Sequence, residues 1–114
     1  MSGSELRVPG GGRCAVDDKG YLLDWQQWIP AVAETMAARD GVVLTEDHWA
    51  VLALFREYYG RFEIEPPMRA LVRLTGERLG SDKANSRFLY RLFPDGPGTQ
   101  GCRYAGLPRP VSCL

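Results

Sequence analysis

Apolar residues that return every third or fourth position, in blocks cut apart by proline and glycine, constrain this chain more than any other feature. After Thr45, the residues Trp49, Leu52, Phe55, Tyr59 and Phe62 form one buried stripe of a helix. Thr45 with Glu46 and His48 supplies an N-cap signal, and Pro66-Pro67 stop the run. An earlier stripe of Trp25, Trp28, Ile29, Val32, Ala33 and Met36 marks a helix from Asp24 to Arg39, with Asp24 as N-cap and Gly41 beyond its end. Pro30 removes one backbone bond there, which moves the start of regular helix toward residue 30. Pro67 opens a third helix over Met68 to Leu79, with Leu71, Val72 and Leu74 facing inward and Gly80 ending it. Ser81 or Asp82 caps a fourth, which carries Phe88, Leu89, Leu92 and Phe93 on one side. The Pro94-Asp95-Gly96-Pro97 break follows, then a short fifth helix over Thr99 to Tyr104, ended by Gly106.

Ahead of these blocks, Leu6-Arg7-Val8 and Arg13-Cys14-Ala15-Val16 flank Pro9-Gly10-Gly11-Gly12, the pattern of a β-hairpin, and Asp17-Asp18-Lys19-Gly20 marks a second turn. Behind them, Leu107 to Leu114 holds two prolines and too little apolar surface for a core of its own. The expected fold is therefore mainly α: a compact bundle of about five helices with an N-terminal β-hairpin and a flexible C-terminal arm. Residues 1–105 are expected to form one helical domain, with the hairpin at about 5–17, and residues 106–114 a mobile arm. A length of 114 residues and 45% apolar content suit a single modest core.

No apolar run reaches the ~18 residues needed to cross a bilayer, and Met1 to Gly12 lacks the apolar region of a signal peptide, so a cytoplasmic protein is expected. The net charge of zero conceals a split. Residues 1–68 carry 6 Lys/Arg and 11 Asp/Glu, whereas residues 69–114 carry 8 and 3. Either an acidic partner meets the basic C-terminal part or the two halves complement each other. Three cysteines, Cys14, Cys102 and Cys113, are an odd number in a chain with no secretion signal, which speaks for reactive or incidental thiols over a disulfide framework. One histidine and no closely spaced cysteine pair make a structural zinc site unexpected, and no motif calls for a cofactor.

Cys113 stands one residue from the end of the arm, where no core exists to bury it. A thiol on such a tether can be delivered into another protein's active site. Arg109 lies four residues away and Arg103 adjoins Cys102. Positive charge favours the attacking thiolate, the C-terminal carboxylate opposes it, and no net pKa follows. Ten residues separate Cys102 from Cys113. A disulfide over so short a loop is worth about 3 kcal/mol in chain entropy, so the pair suits a cycle with Cys102 as resolving thiol, unless the two are unrelated. Cys14, within the hairpin, reads as structural or incidental. The tryptophans and Tyr58-Tyr59 stand at packing positions, and His48 with Glu46 reads as capping. An alternative of another class is a DNA-binding helix-turn-helix over Thr45–Phe62 and Met68–Leu79, with Arg69, Arg73, Arg78, Lys83, Arg87 and Arg91 on phosphates.

Several collinear stretches resemble the DsrC/TusE family. They are Asp24-Trp25 through Trp28-Ile29-Pro30-Ala31-Val32-Ala33, Leu44 through Trp49, and Phe55-Arg56-Glu57-Tyr58-Tyr59. Further on come Pro67 with Arg69-Ala70-Leu71, Lys83 through Tyr90 with Leu92-Phe93-Pro94, Gly96-Pro97, and Ala105 through Pro110 followed by Cys113. The resemblance implies a helical fold with an N-terminal hairpin and a C-terminal arm that carries sulfur as a persulfide on the penultimate cysteine, here Cys113. Such a protein is a carrier that is consumed and regenerated, a persulfide sulfurtransferase at most. In DsrC-like members a second cysteine, which Cys102 matches, helps hold sulfur as a disulfide or trisulfide, with dissimilatory sulfite reductase, a membrane redox complex and DsrEFH- or TusBCD-type relay proteins as partners. TusE-like members use the penultimate cysteine alone, in the relay to 2-thiouridine of transfer RNA. Arg103 and Arg109 are the residues expected to assist thiolate and docking. The two-cysteine arm places the chain nearer DsrC. Departures from the family pattern fall at Lys83-Ala84-Asn85-Ser86, where glycine is usual at 84, at Pro97-Gly98-Thr99-Gln100-Gly101-Cys102, which lacks the usual lysine, and at Val111-Ser112-Cys113-Leu114.

Overall fold

The computed structural model describes residues 4–10 and 12–110. Strands β1 (Ser4–Val8) and β2 (Gly12–Val16) pair antiparallel, with Leu6 opposite Cys14 and Ser4 opposite Val16. Alternation along each strand places Leu6, Val8, Cys14 and Val16 in the core and leaves Glu5, Arg7, Arg13 and Ala15 exposed. That apolar face rests on helix α1 (Pro30–Asp40), which buries Val32, Ala33, Met36 and Ala37.

The stripe that begins at Asp24 is divided. Asp24 caps a short 3₁₀ turn, Trp25–Gln27, by accepting the Gln26 N–H at 3.0 Å. Trp28 and Ile29 then run extended before α1 starts at Pro30. Proline disfavours helical backbone at the residue before it and serves well as the first helical residue, so Ile29 becomes the boundary. Gly41, at φ 74°, ends α1 as expected.

Helix α2 (Glu46–Phe62) opens with a reciprocal cap: Thr45 Oγ1 accepts the His48 N–H, and the Thr45 N–H donates to His48 Nδ1 at 3.1 Å. The other ring nitrogen of His48 faces the Leu92 carbonyl at 2.8 Å, so Nε2 donates and Nδ1 accepts. His48 thereby ties the start of α2 to Leu92, 44 residues further along the chain. The buried stripe of α2 is His48, Val51, Leu52, Leu54 and Phe55. Trp49 and Tyr59 are half-buried, and Phe62, expected inside, is 52% exposed because α2 runs out past the core there. Its ring lies instead on Tyr58, at 4.5 Å between centroids. Glu63 in left-handed backbone (φ 59°) ends the helix ahead of the two prolines.

Helix α3 (Met68–Leu79) follows Pro67 and buries Leu71 and Thr75, with Val72 and Leu74 at the edge of the core. Thr75 Oγ1 has no hydrogen-bond partner among the described residues. Helix α4 (Ser86–Leu92) is capped by Asn85, whose Oδ1 accepts the Phe88 N–H at 2.8 Å. Ser81 and Asp82, expected as its cap, belong instead to a separate 3₁₀ turn, Ser81–Lys83. Ala84, between the two, adopts φ −86°, which alanine tolerates as well as glycine. Its methyl occupies space left by Gly76 on α3, where an added Cβ would come within 2.5 Å of it.

A π-helical turn (Pro97–Gly101) leads into α5 (Cys102–Tyr104), which packs against both α1 and α2. Phe93 joins the layers: its ring meets His48, Phe55 and Tyr104 edge-on, with centroids 5.5, 6.3 and 6.1 Å away. After Gly106 (φ 74°), Leu107 is completely buried, so the packed chain continues beyond residue 105. Among the described residues no helix is long and apolar enough to cross a membrane.

Candidate functional site

Cys113 lies outside the described residues, so the site is described from its base, residues 100–110. Cys102 begins α5 and is completely buried. Cys14, on the core face of β2, is 5% exposed, with its sulfur 3.9 Å from the Gln27 carbonyl oxygen.

A helix leaves its last carbonyls without partners, and α5 is too short to share that cost along its length. Two side chains from distant elements cap it. Trp28 Nε1 donates to the Tyr104 carbonyl at 2.8 Å, and Arg56 Nη1, from α2, donates to the Ala105 carbonyl at 2.8 Å. The second Arg56 nitrogen, Nη2, donates to the Trp25 carbonyl at 3.0 Å. The guanidinium lies 4.5 Å from the Trp28 ring centroid and 5.0 Å from that of Trp25. Burial pulls the Arg56 pKa down, which marks a partly desolvated charge held by carbonyls and π faces. Gly106 turns directly over this floor: an added Cβ would sit 2.3 Å from Trp28 Cδ1 and 2.9 Å from Leu22 Cδ1. The Leu107 N–H closes the turn onto the Cys102 carbonyl at 3.0 Å.

On the other side of α5, the Tyr104 hydroxyl donates to Asp40 Oδ2 at 2.7 Å and accepts from Gln100 Nε2 at 2.9 Å. Gln100 Oε1 in turn accepts the Asp95 N–H at 2.8 Å. Burial, and then the bond to Asp40, push the phenol up to about 12. Arg103 Nη2 meets the same carboxylate oxygen at 2.6 Å. Further along, Arg109 Nη2 lies 2.5 Å from Asp18 Oδ1 and 3.2 Å from Asp17 Oδ2. Asp17 also builds the turn after β2, with Oδ1 accepting the N–H groups of Lys19 at 2.8 Å and Tyr21 at 3.0 Å. The hydrogen bond from Arg109 holds the Asp18 carboxyl below its ordinary range.

The two arginines expected to support the thiolate are thus both engaged by carboxylates: Arg103 ties α5 to the end of α1, and Arg109 ties the base of the arm to the turn after β2. Among the basic residues of the helix-turn-helix reading, Arg73 pairs with Glu77 at 3.3 Å, Arg78 with Glu57 at 2.8 Å and Lys83 with Asp47 at 3.3 Å. Arg69, Arg87 and Arg91 are exposed. Sequence reasoning missed Arg56, Asp40 and the ion-pairing role of Asp17 and Asp18. The one signal for Arg56 was a cation set beside Phe55 in an apolar stripe, in a chain with two tryptophans close together upstream.

A helical domain faced by a hairpin and closed by a capped turn at residues 105–107 defines the class. The family of DsrC-like proteins matches residues 9–114, and the chain belongs to it. The sulfurtransferase TusE of Pectobacterium atrosepticum is 43% identical over 104 residues, 91% of this chain and 95% of its own length. The solution structure of DsrC from Allochromatium vinosum superposes with a TM-score of 0.87 at 45% identity, covering 98% of this chain and 99% of that one. The crystal structure of the oxidized gamma-subunit of the dissimilatory sulfite reductase (DsrC) from Archaeoglobus fulgidus gives 0.86 at 37% identity, covering 97% and 100%.

Proposed function

We propose that the chain is a cytoplasmic sulfur carrier that takes up sulfane sulfur on Cys113 and passes it on in the manner of a TusE sulfurtransferase, within a relay that ends in 2-thiouridine of transfer RNA. The observation that carries this reading is the burial of the other two thiols. Cys14 is 5% exposed and Cys102 is 0% exposed, so Cys113 is the cysteine left for attack by a partner. The 43% identity to a TusE across 91% of the chain supports the same role. In loading, the Cys113 thiolate attacks the outer sulfur of a donor persulfide, the donor leaves as thiolate, and Cys113 becomes the persulfide. In unloading, an acceptor thiolate attacks that outer sulfur and Cys113 leaves as thiolate. The segment beyond Leu107 acts as the delivery arm, and the tie of Arg109 to Asp17 and Asp18 anchors its base.

A second reading, the two-thiol co-substrate of a dissimilatory sulfite reductase, is favoured by the presence of Cys102 with ten residues before Cys113 and by the similarity to DsrC of A. vinosum. There the Cys102 thiolate attacks the Cys113 sulfur, a disulfide forms and hydrosulfide leaves. Intact mass after incubation with a small persulfide donor tests both. An adduct of about 32 Da that is lost in Cys113→Ser and kept in Cys102→Ala supports the carrier. A species lighter by two hydrogens that requires both cysteines supports the two-thiol cycle. Absence of any adduct on Cys113, while a control thiol loads, refutes the carrier.

A further inference from the structure

We propose that the cleft between the turn after β2, the end of α1 and α5 is a binding site for a small tetrahedral dianion, held by Lys19, Arg39 and Arg103. The proposal goes beyond the carrier reading and does not depend on it. The floor of the cleft is apolar, formed by the buried side chains of Leu6, Val16 and Met36, and its walls carry Lys19, Arg39, Arg103 and Asp40. Its volume is about 130 Å³. Organic ligands ordinarily take ~300 Å³ or more, so the space suits an inorganic oxyanion with a water or two.

Three cations and one acid line this space, and the acid is already engaged. Asp40 Oδ2 accepts from Arg103 Nη2 at 2.6 Å and from the Tyr104 hydroxyl at 2.7 Å. The same bond fixes Arg103, whose side chain lies against the turn: a Cβ added at Gly20 would sit 3.6 Å from Arg103 Cδ. The other N–H groups of Arg103, the Lys19 ammonium and the Arg39 guanidinium have no hydrogen-bond or ion-pair partner among the described residues. Asp17 and Asp18, just ahead of Lys19, are claimed by Arg109 and do not line the cleft. Two positive charges are therefore left uncompensated over an apolar floor, where their attraction for an anion is stronger than on an open surface. The three cations come from three separate segments, which suits a ligand with acceptor oxygens in several directions better than a planar carboxylate or a chloride ion. The turn that presents Lys19 is held in shape, with Asp17 Oδ1 accepting the N–H groups of Lys19 and Tyr21 and the Asp17 carbonyl accepting that of Gly20 at 3.0 Å. Because Arg109 ties to the same turn, the bound anion stands beside the base of the arm.

The test titrates the full chain with sodium sulfate and, at matched ionic strength, with sodium chloride, following backbone amide resonances by NMR. Sulfate is expected to shift the amides of Gly20, Arg39 and Arg103 saturably, with a dissociation constant of about 1–10 mM, and chloride is not. Lys19→Gln and Arg39→Gln remove exposed side chains that bond to nothing in the fold, and each is expected to weaken sulfate binding by about threefold to tenfold. The double variant is expected to show no saturable binding below about 50 mM. Arg87→Gln and Arg91→Gln, at cations that line a separate cleft, are expected to leave the affinity unchanged. Phosphate and thiosulfate titrated in parallel share the tetrahedral dianion chemistry; saturable binding of any of the three supports the site, and the tightest identifies its ligand. Shifts that chloride reproduces, or binding that survives in the double variant, overturn the proposal. Sulfur loading plays no part in the assay, so failure of the carrier reading leaves the result interpretable.

Discussion

Three glycines near the base of the arm differ in what a methyl group meets, and substituting each by alanine separates backbone strain from packing. At Gly106 both terms act. Its φ of 74° lies in the left-handed region, and the added Cβ would sit 2.3 Å from Trp28 Cδ1 and 2.8 Å from Trp28 Cγ. The backbone term is about 1–2 kcal/mol and overpacking adds about 1–3, so Gly106→Ala should cost about 2–5 kcal/mol. At Gly101 the backbone is helical (φ −63°) and only packing acts, against the Phe55 ring at 2.6 Å. Helix propensity recovers up to ~1 kcal/mol, which leaves a net loss of about 0–2 kcal/mol. At Gly98 nothing lies within 4 Å of the added Cβ, and alanine should stabilise by about 0.4–1 kcal/mol through the unfolded chain. Urea and thermal unfolding monitored by circular dichroism check the order. For a domain of this size the Gly106 variant should melt about 8–20 °C below wild type. If Gly106→Ala unfolds together with Gly98→Ala, the tight seat of residue 106 on Trp28 is wrong, and the reading of the turn as a clamped element goes with it.

Thr75→Val should raise stability by about 1 kcal/mol in urea titration, because a buried hydroxyl with no partner among the described residues is replaced by a methyl of the same shape. Tyr104→Phe removes the donor to Asp40 and strands Gln100 Nε2, and should cost about 1–3 kcal/mol in the same assay. The raised Tyr104 pKa gives a sign as well: its contribution is complete below the ordinary 10.0 and is lost as pH rises through about 12, so alkaline unfolding should be steeper in wild type than in Tyr104→Phe. Asp18 works in the opposite direction. Its carboxyl is held below 3.8, so the tie to Arg109 should persist at neutral pH and fail as pH falls through that lowered value; the midpoint of the Asp18 side-chain carboxyl shift in an NMR titration should lie below 3.8 in wild type and return toward 3.8 in Arg109→Ala or in high salt.

How much of this was readable beforehand depends on the range of the forces involved. The helices, the existence of the hairpin, the Thr45 cap and the division near Pro30 rest on neighbours in sequence, and local pattern revealed them. The buried stripe of α2 was misplaced at Phe62 because a periodic pattern does not show where a helix outruns its neighbours. Asn85 displaced Ser81 and Asp82 as a cap because a 3₁₀ turn intervened, and all three residue types offer equal local claims. At the site, the sequence identified the cysteines and the two arginines beside them. It did not show that Asp40, Asp17 and Asp18 claim those arginines, since these pairs join residues 63 and 91 or more positions apart. Arg56 likewise reaches a carbonyl 49 positions away, and nothing in its own segment announces the destination.

The contact between Gly76 and Ala84 has a consequence for the history of the chain. A methyl at 84 fits because 76 carries none, and the two Cβ positions are 2.5 Å apart. The two sites therefore cannot gain bulk independently: an ancestor with glycine at both could acquire alanine at either one, and the first substitution closed the other path. Related chains should show small residues at the two positions in alternation, and a graft of this Lys83-Ala84-Asn85-Ser86 segment into a relative with a larger residue at 76 should fail until that residue is trimmed to glycine.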